Sequence, residues 1–440
     1  MAELPSANFR RYDPHQNLLL PPNLDEWLLE GHLARFIGEL VDDQIDLTPF
    51  TEGYDNATGG RLAFHPALLL KLWLYGYCVG TPTSRKVARA TFEDVAFRWL
   101  ATDQHPTYST LSRFRERNLA NFHTLFLQVL KLCQEADLIG GTRMALDGTK
   151  VKANASKHKA MSHGKMLEKE KQLDEELRQS IEEYFRKVAE NDAEEDRKFG
   201  KGNNPYLGDP TIKSKKDRLE KIRKAKEAIE ERERQKAKAA GREAAPIDPK
   251  IQYNFTDPES RIMPDGANRG SFVQAYNCQA MVDEKAQIIV AAETTQAPQD
   301  KRQLVPMTEL TLNNLGAPPR ELVVDAGYFS EEAIRAVESQ GIDVYCPPEA
   351  GRKAEREECP RGRPPDAETF TQRMRRKVRS EKGRAHYGRR KCIVEPVFGQ
   401  IKQGRGLRQF LLRGLEKVRG EWHLWSLTHN ITKLHRAQGA

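Results

Sequence analysis

The chain lacks the marks of secreted, membrane and metal-cluster proteins. Its 440 residues hold six cysteines (Cys78, Cys133, Cys278, Cys346, Cys359 and Cys392), and no two of them form a C-x-x-C pair. That scatter argues against a zinc ribbon and against a disulfide framework, and the expectation is reduced, structural thiols. His158, His163, His386, His423 and His429 show no recognisable zinc-ligand spacing. No apolar run of about 18 residues occurs, so no membrane-spanning helix is expected. The N-terminus, Met1-Ala-Glu-Leu-Pro5, has no basic stretch followed by an apolar one, so a signal peptide is not expected and a cytoplasmic location is.

Charge is what the chain has in quantity. Lys and Arg number 71 against 63 Asp and Glu, a net +8, and 30% of residues are charged. A basic balance at that density favours a polyanionic partner, with nucleic acid the first candidate. The length exceeds what one simple core accommodates, so two or three domains are expected.

Residues 1–140 read as a helical domain. Leu24 to Val41 carries apolar residues at helical spacing, among them Trp27, Leu28, Leu33, Phe36, Ile37 and Leu40. Pro66 to Cys78 is apolar enough to be a buried helix, and Ser84 opens the next. After a break at Asp103-Gln-His-Pro106, Ser109 is placed to cap a short helix with Arg113 and Arg117 on one face and Arg115 to the side. Two short helices around a turn, with arginines on the second, resemble a helix-turn-helix, and this is the expected DNA-binding domain. A small helical bundle with a solvated basic surface fits the same pattern. The basic stretch Arg373 to Arg390 is a second candidate for recognition.

From about Lys165 to Arg242 charges of both signs dominate. Leu173, Leu177, Ile181, Tyr184 and Val188 form one narrow apolar stripe, and Leu219, Ile222 and Ile229 a weaker one. The glycine- and proline-rich stretch Gly200 to Pro210 reads as a turn between them. The expectation is an antiparallel helical hairpin, 165–242, inserted into a larger domain of residues 141–440.

That larger domain reads as α/β. Arg143 to Asn154 looks like a strand delivering Asp147 at or near its end. Phe272 to Val282 and Gln287 to Glu293 read as two more strands, Arg302 to Leu315 as a helix, and Glu321 to Val324 as a short strand ending in Asp325. A helix from Glu331 to Gln340 and a strand from Gly341 to Cys346 follow, and then a helix carrying Glu395. Three strands, helix, strand, helix, strand and a last helix is the order of an RNase H-like mixed sheet with flanking helices. In open sheets function gathers at strand ends, where Asp147 and Asp325 are expected.

Glu395 and Lys402 stand seven residues apart, nearly two helical turns, and Lys391 precedes Glu395 by four. One helix face would then present cation, carboxylate, cation if the helix extends back past Pro396. Three carboxylates suit a pair of divalent cations that activate an attacking oxygen and stabilise a leaving one in phosphoryl transfer, and their hard oxygens suit Mg²⁺ or Mn²⁺. Asp147, Asp325 and Glu395 together read as a metal-dependent DNA-strand transferase. Taken alone, the Glu395 stripe also fits ordinary surface charge pairing.

The motifs also carry a family resemblance. Leu146-Asp147-Gly-Thr-Lys150 with Lys152-Ala-Asn-Ala-Ser-Lys-His158, Val324-Asp325-Ala-Gly-Tyr328, Glu395-Pro-Val-Phe-Gly-Gln-Ile-Lys402, and the tail Arg413 to Trp422 with Thr428-His-Asn430 stand in order. They resemble the blocks of the DDE transposases of bacterial insertion sequences, in the subgroup with a long insertion inside the catalytic domain. The resemblance implies an RNase H-like domain with Asp147, Asp325 and Glu395 as metal ligands. It also implies DNA transposition, with double-stranded DNA (the element's terminal inverted repeats and its target) as partner. Two metal ions per site, and a homodimer or higher oligomer on DNA, are the matching expectations. A domesticated relative that binds DNA without cutting it is the alternative reading. The wider family signature is Y-x2-R-x3-E-x6-K. Here Glu395 and Lys402 fit, Lys391 holds the R position and Gly388 the Y position, while Tyr387 and Arg390 stand one place off. Lys391 can meet a phosphate as a point charge but lacks arginine's fork. Lys402, Lys391 and Arg390 are the expected DNA contacts near the site, and Arg113 and Arg117 those of the N-terminal region.

Overall fold

A computed structural model describes residues 23–52, 54, 63–199, 210–239, 241–243, 245–266, 268, 270–349 and 368–438, without the side chains of 184, 185, 187–199 and 210–212. The turn expected at Gly200 to Pro210 lies outside the described residues but for Pro210, and so does Cys359; the side chains of Tyr184 and Val188 lie outside them too. The chain forms two compact units, Met1–Gln128 with Ile431–Ala440, and Val129–Asn430.

The first unit is helical. Helix Pro66–Cys78 lies at its centre with nearly every side chain buried, as its unbroken apolar run requires. Its proline occupies the first turn, where no N–H is needed, and His65 Nδ1 accepts a bond from Ala67 N at 3.2 Å. Leu24 to Val41 is not one helix. It breaks after Trp27, and His32 starts a new helix, Leu33–Glu39, by accepting from Ala34 N at 3.1 Å. Trp27 and Leu29 consequently fall outside the core. Helix Tyr108–Arg117 is capped by Thr107 rather than Ser109. It packs against helices Ser84–Glu93 and Pro66–Cys78.

The second unit is built on a six-stranded mixed sheet. Its strands are β1 (Arg143–Lys152), β4 (Arg261–Pro264), β5 (Phe272–Asp283), β6 (Ile289–Thr295), β7 (Glu321–Val324) and β8 (Asp343–Tyr345). β5 runs antiparallel to β1, β4 and β6, while β7 pairs parallel with β1 and with β8. The order β6-β5-β1-β7-β8, with helices Leu304–Leu315 and Glu331–Glu338 in the two crossovers, is that of an RNase H-like fold. β5 is buried along nearly its whole length, because strands flank it on both edges and helices cover it. β4 is a strand that the sequence pattern did not reveal; it pairs with only the first four residues of β5.

The insertion forms two long helices, His163–Phe199 and Pro210–Ala239. Met166, Leu173, Leu219, Ile222, Ala225 and Ile229 make its buried seam. Contacts run in opposite directions along the two helices. His163 meets Glu230 at 3.4 Å, Glu170 meets Lys226 at 2.7 Å and Arg223 at 3.0 Å, and Lys215 meets Ser180 at 2.8 Å. The pair is therefore an antiparallel hairpin. A two-stranded sheet of β2 (Ala160–Ser162) and β3 (Gln252–Asn254) ties its base together.

Candidate active site

The sheet brings two of the three expected carboxylates side by side. In the parallel pairing of β1 and β7, Leu146 stands opposite Val324, so the next residues, Asp147 and Asp325, are neighbours across the two strands. Asp325 ends its strand as expected. Asp147 does not, because β5 is long enough to carry β1 five residues further, to Lys152. What ends beside Asp147 is the β7 pairing, and this opens the sheet edge there.

Asp147 is mostly buried. Its Oδ1 accepts from Gly148 N at 2.8 Å, and its Oδ2 accepts from Arg390 Nη1 at 2.9 Å. Burial pushes its carboxyl up to about 6; Arg390 opposes that shift and Asp325 adds to it. Asp325 caps the turn Ala326–Tyr328 by accepting from Gly327 N at 2.8 Å.

Glu395 arrives on a broken helix. Helix Glu381–Ile393 stops, Val394 turns, and a new segment, Glu395–Gly399, begins with Pro396 at its second position. Proline has no N–H to offer the carbonyl four residues back. That carbonyl, Cys392 O, is exposed and accepts instead from Gln287 Nε2 at 2.9 Å. The continuous helix expected through Lys391, Glu395 and Lys402 is thus interrupted. Glu395 is half exposed, and its carboxylate reaches the same guanidinium at 3.5 Å from Arg390 Nη2. Arg390 therefore lies across Asp147 and Glu395, with only 11% of its side chain exposed.

Arg390, and not Lys391, occupies the inward position. Lys391, on the next residue, is exposed. Tyr387, one turn before Arg390, is partly buried beside it; burial raises its phenol above the usual range, and the Arg390 charge pulls the other way. Lys402 lies in a wide turn, Gln400–Gly404, and its Nζ donates to Thr149 Oγ1 at 2.9 Å and to Lys150 O at 3.2 Å. Thr149 is two residues beyond Asp147, hence on the same face of β1. Burial lowers the Lys402 ammonium below its ordinary range.

The basic stretch Arg373 to Arg390 is largely engaged within the fold. Arg373 pairs with Glu338 at 3.2 Å, Arg376 with Glu368 at 2.6 Å and Lys377 with Asp343 at 2.5 Å. In the first unit, Arg113 and Arg117 are exposed on helix Tyr108–Arg117, and Arg117 lies over the Tyr54 ring at 5.0 Å. Arg115 is buried over Trp73 at 4.4 Å and bonds Tyr77 Oη and Pro82 O at 3.1 and 2.9 Å.

Among the described residues no group of three His, Cys, Asp or Glu side chains is close enough to hold a metal ion. The donors nonetheless suit a hard divalent cation. They are carboxylate oxygens with no thiol in the set, and a positive charge is already balanced between Asp147 and Glu395. Sequence reading missed the bridging role of Arg390; the pair Tyr387 and Arg390, each displaced by one from the signature, was the available signal.

Two family models match the chain. One, described as a transposase DDE domain, covers residues 241–431, and the other, described as a transposase domain (DUF772), covers residues 22–117. The chain is a DDE transposase of the insertion-sequence type. Asp325, Glu395, Arg390 and Lys402 fall within the first match and Arg113 and Arg117 within the second, while Asp147 lies outside both. No curated protein and no solved structure matches the chain. Among the described residues no helix is long and apolar enough to cross a membrane.

Proposed function

We propose that this transposase cuts DNA at the terminal inverted repeats of its insertion sequence and joins the freed ends to target DNA, with Asp147, Asp325 and Glu395 as ligands of Mg²⁺ or Mn²⁺. The observation that carries this reading is the in-register placement of Asp147 beside Asp325, with Arg390 linking Asp147 to Glu395. A pair of such ions would activate the attacking oxygen and stabilise the leaving one. The chain's own residues set the stage for that chemistry. Asp147 is held by Gly148 N and Arg390, so its carboxylate has one orientation. Asp325 is fixed by its bond from Gly327 N. Arg390 keeps two acidic groups together and offers a guanidinium to a phosphate drawn into the site. Lys402 holds the β1 strand beyond Asp147 through Thr149 Oγ1 and Lys150 O, and in this reading it also meets a DNA phosphate near the site.

In this reading Arg113 and Arg117, on an exposed helix face, contact terminal-repeat DNA, and Lys391 adds an exposed cation close to the site. Two or more copies act together on the two ends of the element. The test uses labelled DNA from the element's own flanks, incubated with Mg²⁺ or with chelator, followed by mapping of the cut ends. Mg²⁺-dependent cuts at the repeat boundaries are expected. Asp147→Ala, Asp325→Ala and Glu395→Ala should each lower the rate about a thousandfold or more while DNA binding persists. Near-normal cutting by any one of them would remove that residue from the site, and no cutting with intact repeat binding would favour a binding protein that has lost catalysis.

A further inference from the structure

Asp147 and Asp325 come from strands separated by most of the domain's sequence, yet a metal site needs their spacing held closely. Register alone sets the backbone, and β7 ends at Val324, just where that control is needed. On the opposite face of β1 a buried polar cluster lies directly beneath this point. Gly148 stands opposite Gln279 of β5. A side chain at Gly148 would collide with Gln279 Nε2 and would lie 2.6 Å from Asp300 Oδ1. The glycine thus lets this cluster close against the strand beside Asp147.

Gln279 is fully buried and engaged at every polar atom of its side-chain amide. Its Nε2 donates to Asp300 Oδ1 at 2.7 Å, and its Oε1 accepts from the Tyr328 hydroxyl. Its backbone carbonyl accepts from Trp422 Nε1 at 3.1 Å. Asp300 also accepts from Asn277 Nδ2 at 2.6 Å and from Lys150 Nζ at 3.1 Å. Tyr328 is fully buried and closes the short turn that Asp325 caps, three residues on from that aspartate. One amide therefore links the turn carrying Asp325, through Tyr328, to the strand carrying Asp147, through Asp300 and Lys150, with Gly148 leaving the room it needs.

We infer that Tyr328, Gln279 and Asp300 are positioning residues that fix the separation of Asp147 and Asp325. None of the three faces the reacting phosphate; they act from the back of the sheet. The inference rests on Asp147 and Asp325 being metal ligands. A buried Oε1 deprived of its donor must find another partner or shift, and either outcome moves the turn that Asp325 caps.

Tyr328→Phe removes the hydroxyl alone and keeps the ring packed. Asp300→Asn, with the same shape, is a second variant. Mn²⁺ binding to the full-length protein is measured by electron paramagnetic resonance, alongside cleavage kinetics, repeat-DNA binding and thermal stability. Both variants should keep repeat-DNA affinity within about twofold and KM nearly unchanged. Mn²⁺ affinity and kcat should each fall on the order of tenfold. Loss of thermal stability with unchanged Mn²⁺ affinity and unchanged kcat would overturn the inference and leave the cluster a purely structural one. Asp147→Asn and Asp325→Asn serve as controls. If they too bind Mn²⁺ normally, it is the ligand assignment that fails; if they lose binding and Tyr328→Phe does not, the positioning role alone fails.

Discussion

Arg390 and Asp147 form the ion pair on which the site is centred, and its strength can be bounded before it is measured. The side chains are 11% and 19% exposed, so the pair is largely withdrawn from water. Two unit charges about 4 Å apart at an effective dielectric constant of about 20 attract by roughly 4 kcal/mol. Asp147 nonetheless titrates upward, to about 6, because burial costs its charged form more than Arg390 returns. Arg390 is held above its ordinary range although burial pulls it down, with Asp147 the largest influence raising it, and either partner left alone is costly. A double-mutant cycle separates these effects. Arg390→Met keeps the aliphatic stem and removes the charge, Asp147→Asn removes the other charge, and the double variant closes the cycle. The contact of Arg390 with Glu395 cancels in the cycle, since it is lost in both arms that lack Arg390. At pH 8, where Asp147 is ionised, urea denaturation should give a coupling of about 2–4 kcal/mol. At pH 5, where Asp147 is protonated, it should shrink to under about 1 kcal/mol. A coupling below about 0.5 kcal/mol at both pH values, the range of exposed pairs, would refute the buried geometry argued for this site.

Three further outcomes are expected. Lys402→Ala should remove two bonds to β1, lowering stability by about 1–2 kcal/mol in urea denaturation, and should lower the salt slope of DNA binding by about one; an unchanged slope would make Lys402 a strand anchor only. Folded Asp147 keeps its proton up to about pH 6, whereas the unfolded chain releases it near 4. Between those values the folded state binds more protons, so this group's contribution to stability falls as pH rises, by up to roughly 3 kcal/mol, and Asp147→Asn should flatten that slope in stability measured against pH. Replacing the hairpin between Ser162 and Gln252 with a short Gly/Ser linker should leave a soluble, folded protein by circular dichroism, because its apolar seam packs on itself and on Met161 and Tyr253 of the β2–β3 pair at its base; aggregation would show that the seam also serves the main sheet.

The sheet was legible because its signals are local. Alternating or continuous apolar runs ended in turn residues, and the strand–helix order admitted one familiar topology. The hairpin was legible for the same reason, through its two stripes. Three things were not. β4 is four residues long and ends in a proline, so it carries too little pattern of its own; it forms by pairing with the first residues of β5 across the loop that follows it. Asp147 was expected at or near the end of its strand, whereas β1 runs five residues past it because its length is decided by β5 across the sheet. Leu24 to Val41 has helical periodicity throughout, yet His32 acts as a cap inside it, a competing local bond that periodicity ignores. At the site, the aspartates were legible as residues, but their adjacency came from register alone.

The misplaced arginine explains how a site tolerates a change of spacing. On an unbroken helix each residue turns the side chain by about 100 degrees, so one extra residue before Glu395 would swing Arg390 off the face that Glu395 occupies. Lys391 would then point inward, and its single ammonium could not hold two separate carboxylates in the manner of a planar guanidinium. The chain avoids this at Val394, which ends one helix and starts the next. Pro396 enforces the break by withholding an N–H, and Gln287 bonds the exposed carbonyl that proline leaves. Gln287 is itself held in the left-handed region, at a φ of 59 degrees, in the turn between β5 and β6. The geometry that matters is the meeting of Arg390 with Asp147 and Glu395, and the number of residues between them is free to vary wherever the helix can be broken and its loose carbonyl paired.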